Sequence, residues 1–310
     1  MQPIVLPPNQ FPRFYRGGPR IAAFRGVPAE GDRTPEDWIG STTRATGEEN
    51  GPSRLADGSE LAAALAADPE SFFEPSHLAR HGSEPGVLVK LLDAGERLPV
   101  HHHPDRAFAQ RHLGVPHGKT EGWIILEAEP DAAVWLGFDR DFDPAWVASQ
   151  DTGAMLAAMR REPVAAGDAL YVPAGVPHAI GEGILLLELQ EPSDLSLLLE
   201  WQGIVAEEDA FLGLDLAAVL EALRPDPPDQ SCAHGRLLPD AADAFFRADE
   251  GTEFDAGFAI VVVHAGEGTI ECDAAEAMPV RRGATLLVPY AAGAWRLTGN
   301  ARAYRCRGPA

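Results

Sequence analysis

The hydrophobic and polar positions of this chain predict many short strands and few helices. Residues 87–94 and 122–138 are apolar runs of strand length. A Glu-Pro-Asp turn divides the second run, which therefore predicts two strands joined by a hairpin. Residues 163–190 continue this pattern of apolar runs separated by tight turns. The core is therefore predicted to be mainly β.

Three segments carry apolar side chains at helical spacing, and each predicts a helix outside the strands. They are residues 57–67, residues 146–161 and residues 205–224. The third is amphipathic and ends at the proline-rich segment 225–231. Because proline cannot continue a helix and favours extended chain, this segment is the clearest boundary in the sequence.

An internal repeat predicts a duplicated module. The stretch GDALYVP at residues 167–173 is echoed by GATLLVP at residues 283–289. His178 follows the first copy, whereas Trp295 follows the second. Two copies are too few for a solenoid, so we expect two related β modules of which only the first carries ligand chemistry.

The repeat and the linker together divide the chain into three parts. Residues 1–204 are predicted to form a metal-binding domain with an N-terminal segment that wraps it in loops and edge strands. Residues 205–235 supply a helix and the linker, and residues 236–310 form a degenerate second domain.

Charge and composition exclude several classes of partner. The formal net charge is −22, and lysine occurs only twice in 310 residues. Such a surface repels nucleic acid and anionic membranes, so we expect neither as a partner. Three cysteines without repeating spacing predict free thiols, and there is no apolar run of about 18 residues to span a bilayer. With no secretory signal either, we expect a cytoplasmic protein whose oligomeric state stays open.

The histidines predict a metal site. His101 and His103 lie two residues apart, so on a strand their imidazoles project from one face while His102 projects from the other. The spacing Gly167-x5-Pro173-x-Gly175-x2-His178 has the shape of the second cupin motif, a hairpin that brings a histidine into a barrel.

Glu121, at the start of a predicted strand, would complete a set of three nitrogens and one oxygen. Such a set suits zinc, iron, nickel or manganese, and an open coordination position would mark a catalytic site rather than a structural one. We therefore expect one divalent metal.

The sequence resembles the type I phosphomannose isomerases, a cupin family, over residues 87–201. The resemblance rests on VLVKLLDAGERLPVHHHPD, GKTEGWIILEAEP and YVPAGVPHAIGEGILLLELQEPSD, in the family's order and at similar spacing. It implies a duplicated jelly-roll barrel with peripheral helices, a zinc ion and interconversion of an aldose with a ketose. The family's ligand positions fall on His101, His103, Glu121 and His178, although the first is usually glutamine.

The resemblance also implies roles for three charged residues. Lys119 and Glu188 correspond to candidate catalytic residues, and Lys90 to a substrate-binding residue. Lys90 and Lys119 are the two lysines of the chain. A lysine can lower its pKa where an arginine cannot, so their placement within the matched stretches supports a function.

Two positions depart from the family pattern and leave the substrate open. Pro99 stands where the family usually has a serine, and Leu198 where it has an arginine. Both changes remove groups that favour a phosphate dianion. We therefore expect a mannose- or fructose-type sugar, phosphorylated or free. An iron-dependent cupin oxygenase and a catalytically inactive sugar-binding cupin are the alternative interpretations.

Overall fold

The computed structural model describes residues 1–310 and is built mainly from short antiparallel strands. The strands are β1 (Ile4–Val5), β2 (Glu36–Ile39), β3 (Leu88–Ala94), β4 (His101–His102), β5 (Glu121–Ala128), β6 (Ala133–Phe138), β7 (Met159–Pro163), β8 (Ala169–Val172), β9 (His178–Ile180), β10 (Ile184–Gln190), β11 (Leu197–Leu198), β12 (Arg247–Gly251), β13 (Glu253–Phe254), β14 (Ala259–Ala265), β15 (Glu267–Cys272), β16 (Ala275–Arg281), β17 (Thr285–Val288), β18 (Trp295–Leu297) and β19 (Arg302–Arg307).

The helices are short and lie between the strands. They are α1 (Pro19–Arg25), α2 (Leu61–Ala67), α3 (Pro69–Phe72), α4 (Pro75–His81), α5 (Arg106–Phe108), α6 (Pro144–Ala148), α7 (Thr152–Ala158), α8 (Glu207–Ala210) and α9 (Leu216–Glu221). A π-helical turn at Ala109–Leu113 extends α5, and 3₁₀ turns occupy Asp240–Ala244 and Tyr290–Ala292. No helix is both long and apolar enough to cross a membrane.

The first module is a sandwich of two open five-stranded sheets, with strand orders β2-β3-β10-β5-β8 and β11-β4-β9-β6-β7. Its inner core takes apolar side chains from both sheets, among them Trp123, Ile125, Val134 and Leu186. Each fully buried aliphatic side chain contributes about 1.5–3 kcal/mol relative to exposure. β2 lies at a sheet edge, as predicted for part of the N-terminal segment.

The second module repeats this plan with strand orders β1-β17-β14-β19-β12 and β13-β18-β15-β16. β8 and β17 lie within the two copies of the sequence repeat. β8 pairs with β5 in the first module, and β17 pairs with β14 in the second. The predicted mainly β, duplicated cupin fold is confirmed. Each module is a pair of open sheets rather than a closed barrel. Because β1 pairs with β17, the first residues of the chain join the second module, and the predicted domain bounds stay a prediction.

The outer faces of the two modules pack against each other. Leu185, Leu187 and Leu189 of β10 alternate with inward-facing residues and share a core cluster with Ile260 and Tyr304 of the second module. Since successive strand residues face opposite ways, this contact turns Glu188 into the first module. Glu188 is only 3% exposed.

Two predicted helices are interrupted. Residues 146–161 form α6 and α7, and Met159–Pro163 is the strand β7. Residues 205–224 form α8 and α9, separated where Leu212 and Gly213 adopt positive φ of 54° and 76°. The left-handed backbone ends the first helix, and Asp215 caps the second by accepting a hydrogen bond from the Ala218 amide.

Candidate metal and sugar site

Two short strands bring the predicted histidines together. β4 and β9 are antiparallel, and their register places His101 directly opposite His178. The flanking Pro99 and Pro104 limit β4 because proline cannot donate to a ladder. His103 follows the strand and completes the group, so that all three ligand nitrogens lie within 4.8 Å of one another.

Backbone carbonyls orient the three imidazoles. The Nδ1 atoms lie 2.8 Å from the Pro99 oxygen for His101, 2.7 Å from the Leu195 oxygen for His103 and 2.9 Å from the Val176 oxygen for His178. A carbonyl only accepts, so each Nδ1 carries the proton and each Nε2 keeps its lone pair. This is the arrangement that outer hydrogen bonds impose on metal-binding histidines.

The donor set fits a divalent metal. The Nε2 atoms of His103 and His178 are buried and have no hydrogen-bond partner, which is costly unless another group occupies the space between them. Burial lowers the pKa of all three histidines, Lys119 lowers it further, and Glu121 opposes this at His103 and His178; the pKa of His103 falls to about 3. The imidazoles are therefore neutral at pH 7, as a metal requires.

Glu121 adds a carboxylate beside the histidines. At the start of β5, it has one oxygen 3.0 Å from Nε2 of His103 and the other 3.7 Å from Nε2 of His178. Lys119 Nζ lies 3.1 Å from the first of these oxygens. Burial raises the pKa of Glu121, but opposing interactions, of which the positive charge of Lys119 is the largest, hold the pKa well below its usual range.

Lys90 and Glu188 form a buried ion pair next to this group. They are opposite each other in the β3–β10 register, with Lys90 Nζ 3.4 Å from Glu188 and 3.5 Å from Glu36. The indole of Trp123 donates to both Glu121 and Glu188 at 3.1 Å. Burial first, then the charge of Glu121, raises the pKa of Glu188 to about 7.

All of these charged residues border one cavity of about 890 Å³. Lys90, Lys119, Glu121 and Glu188 line it together with His101. The structure therefore brings five of the predicted site residues to a single chamber, and His103 and His178 lie beside it, grouped with His101. His102 is buried and stands outside the three-histidine group.

Four residues of the chamber were missed at the sequence level. Arg13, Tyr15 and Glu36 come from the N-terminal segment and Asp194 from the loop after β10. Arg13 pairs with Glu36 at 3.3 Å and Asp194 at 3.1 Å, and the Tyr15 hydroxyl donates to Glu36 at 2.6 Å. Glu36 begins the apolar run of β2, and a carboxylate in a buried strand was the available signal.

Both positions that depart from the family pattern also line the chamber. Leu198 lies opposite His101 in the β11–β4 register, and Pro99 supplies the carbonyl that holds the His101 ring. A leucine in that place gives the wall beside the histidines an apolar surface.

Comparison with known proteins gives consistent results. The chain is 28% identical to mannose-6-phosphate isomerase ManA of Bacillus subtilis over 301 residues, covering 92% of each chain. Its fold matches the crystal structure of the mannose 6-phosphate isomerase from Bacillus subtilis, with a TM-score of 0.78, 22% identity and coverage of 99% and 100%. A mannose 6-phosphate isomerase bound with zinc and yttrium matches with a TM-score of 0.74 at 13% identity, covering 100% of both chains. No family model matches.

Proposed function

We propose that this chain is a type I phosphomannose isomerase-like cupin, a metal-dependent aldose–ketose isomerase acting on a mannose- or fructose-type sugar, as its similarity to mannose-6-phosphate isomerases supports. One observation carries the proposal: a group of three neutral histidines, which reaches the chamber through His101, lies beside a buried chamber carboxylate whose pKa is raised to about 7. The first group suits a metal and the second suits proton transfer.

We propose His101, His103, Glu121 and His178 as the ligands of one divalent ion, with zinc as the favoured metal. Two orphaned imidazole nitrogens and the adjacent carboxylate support this set. When bound, such an ion supplies Lewis-acid stabilisation of negative charge on sugar oxygens.

Glu188 is the proposed base. Isomerisation takes the proton from C2 of the open-chain aldose and returns it at C1, so a single carboxylate can serve both transfers. A base works best when its pKa lies near the working pH, and burial gives Glu188 that property. The Trp123 indole and Lys90 hold its two oxygens in place.

The two lysines have separate proposed roles. Lys119, at 7% side-chain exposure beside Glu121, places a positive charge where a sugar oxygen becomes negative. Lys90 is fully buried between Glu36 and Glu188. We propose that Lys90 contributes to substrate binding indirectly, by holding the Glu188 carboxylate in its orientation.

Proton NMR in D₂O tests the proposed function. The zinc-loaded protein is incubated with a panel of free and phosphorylated hexoses, and deuterium incorporation at C2 is followed together with formation of the ketose. Exchange and conversion of at least one aldose are expected. Absence of both with every sugar, in protein shown to contain metal, would remove the proposal.

A further inference from the structure

On the basis of the proposed function, we propose that the substrate is an uncharged sugar, a free aldose and its ketose, and that the chamber discriminates against sugar phosphates. The charges around the chamber carry this inference.

Carboxylates outnumber cations on the chamber wall. The cations are three: Arg13, Lys90 and Lys119. The carboxylates are seven: Glu36, Glu48, Glu121, Glu188, Asp194, Glu208 and Asp209. A divalent ion adds two positive charges and protonation of Glu188 removes one negative charge, yet together these only approach balance. A phosphate dianion would enter a site with no positive excess to receive it.

Two of the three cations each already contact two carboxylates. Arg13 contacts Glu36 and Asp194, and the Arg13 side chain is only 15% exposed. Lys90 contacts Glu36 and Glu188, stacks over the Trp38 ring at 4.8 Å and is 2% exposed. Taking either from its partners would leave a buried carboxylate without a compensating charge, which is strongly unfavourable.

Lys119 is the remaining cation. Its ammonium lies 3.1 Å from Glu121, at the proposed metal and not at the mouth of the chamber. If metal binding draws Glu121 away, one monovalent charge is released next to the reacting oxygens. The phosphate group, at the opposite end of a hexose 6-phosphate from the reacting carbons, would still lie among the other chamber residues and away from Lys119.

The mouth includes exposed carboxylates and apolar side chains. Glu208 and Asp209 lie on α8 and Glu48 on a loop, and all three are exposed. A carboxylate only accepts hydrogen bonds, so it can bind sugar hydroxyls, which donate, but not phosphate oxygens, which accept. Leu113, Val115 and Leu212 line the chamber with apolar surface that suits a carbon chain. Both features favour a neutral ligand.

Paired substrates give the first test. We compare kcat/KM of the zinc-loaded protein for mannose and mannose 6-phosphate, and for fructose and fructose 6-phosphate. The kcat/KM values for the free sugars are expected to exceed those for their phosphates, and equal values would contradict the inference. A higher value for the phosphates overturns the inference while leaving the proposed isomerase function intact.

Calorimetry decides the same question independently of turnover. Sorbitol and sorbitol 6-phosphate, which cannot isomerise, are titrated into the zinc-loaded protein. Tighter binding of sorbitol is expected. Tighter binding of its phosphate, or binding of neither, overturns the inference, even if no sugar is turned over and the proposed function has failed.

A matched pair of variants locates the cause. The double variant Glu208→Gln/Asp209→Asn removes two exposed charges from the mouth, whereas Glu207→Gln removes one from the same helix outside the chamber lining. At low salt the double variant should raise affinity for sorbitol 6-phosphate about threefold to tenfold, and that for sorbitol much less. The Glu207 variant should change neither. An equal response of both ligands would contradict electrostatic exclusion at the mouth.

Discussion

The two modules of this protein have corresponding strands and different chemistry. In the first, β4 pairs with β9 and sets His101 opposite His178, with ring centroids 4.1 Å apart. In the second, β13 pairs with β18 and sets Phe254 opposite Trp295, with ring centroids 4.2 Å apart. The backbone holds two aromatic rings at the same place in each sandwich. Only the first pair can bind a metal.

The comparison extends to the charged residues. Glu121 faces Val172 in the β5–β8 register, and Ala259 faces Val288 at the matching point of β14 and β17. The second module has an ion pair at the positions of Lys90 and Glu188, but with the charges exchanged. Asp249 corresponds to Lys90 and Arg305 to Glu188, and the two lie 2.9 Å apart.

The second module therefore has equivalent strand positions but no metal ligand at those that correspond to His101, Glu121 and His178. Its Phe254–Trp295 contact fills with aromatic surface the place where the first module has unpartnered imidazole nitrogens, and the indole nitrogen of Trp295, although unpartnered too, is only a hydrogen-bond donor and offers no lone pair to a metal. A shared fold thus does not imply a shared function, because a few side chains at equivalent positions decide which module can carry out chemistry. We expect the second module to contribute stability alone.

The largest expected effect follows from replacing corresponding residues in the two modules. His178→Ala should yield a folded protein with metal stoichiometry near zero and no isomerase activity, because four donors are reduced to two imidazoles and a carboxylate. Trp295→Phe should keep the metal of the wild-type protein. Metal content by atomic emission and folding by circular dichroism check both. Full metal retention by the His178 variant would contradict the ligand assignment.

Loss of the proposed base should reduce activity next most strongly. Glu188→Gln keeps the side-chain volume and removes the carboxylate, so kcat should fall by about 10²–10⁴ while metal content is unchanged. Substitution of the corresponding Arg305 by Lys should leave kcat near wild type. A Glu188 variant with full activity would assign proton transfer to another residue.

The pH profile provides a related measurement. Since burial raises the pKa of Glu188 to about 7 and the base must be ionised, kcat/KM should rise with pH and level off above about 7. Below that value each pH unit should cost about tenfold. Glu188→Gln should abolish this limb of the profile, and its persistence in the variant would indicate a different titrating group.

The two ion pairs should differ in their effect on stability. Lys90→Met leaves the buried Glu188 without its cation and Glu36 with Arg13 alone, and should reduce the free energy of unfolding by about 3–5 kcal/mol. Arg305→Met removes one of the two arginine partners of Asp249, which is 41% exposed and keeps Arg307, and should cost about 1 kcal/mol or less. Urea denaturation measures both. Equal losses of unfolding free energy in the two variants would show that burial does not determine how much each ion pair stabilises the protein.

The sequence predicted the site better than its surroundings. Histidine spacing, the Gly-Pro hairpin and strand alternation are local features, and they predicted His101, His103 and His178 as neighbours. Arg13, Tyr15 and Glu36 were missed because they reach the chamber through long-range contacts with the N-terminal segment. Neither residues 146–161 nor residues 205–224 form one continuous helix as predicted. Apolar spacing cannot report the positive φ at Gln150 in the first segment, or at Leu212 and Gly213 in the second.

Anomalous diffraction from crystals of the zinc-loaded protein, recorded on both sides of the zinc absorption edge, tests the central claim most directly. One chain contains both modules, so each serves as a control for the other. The account predicts a single strong peak per chain, between His101, His103, Glu121 and His178, and none beside Phe254 and Trp295. A peak in the second module, or none in the first, would contradict it.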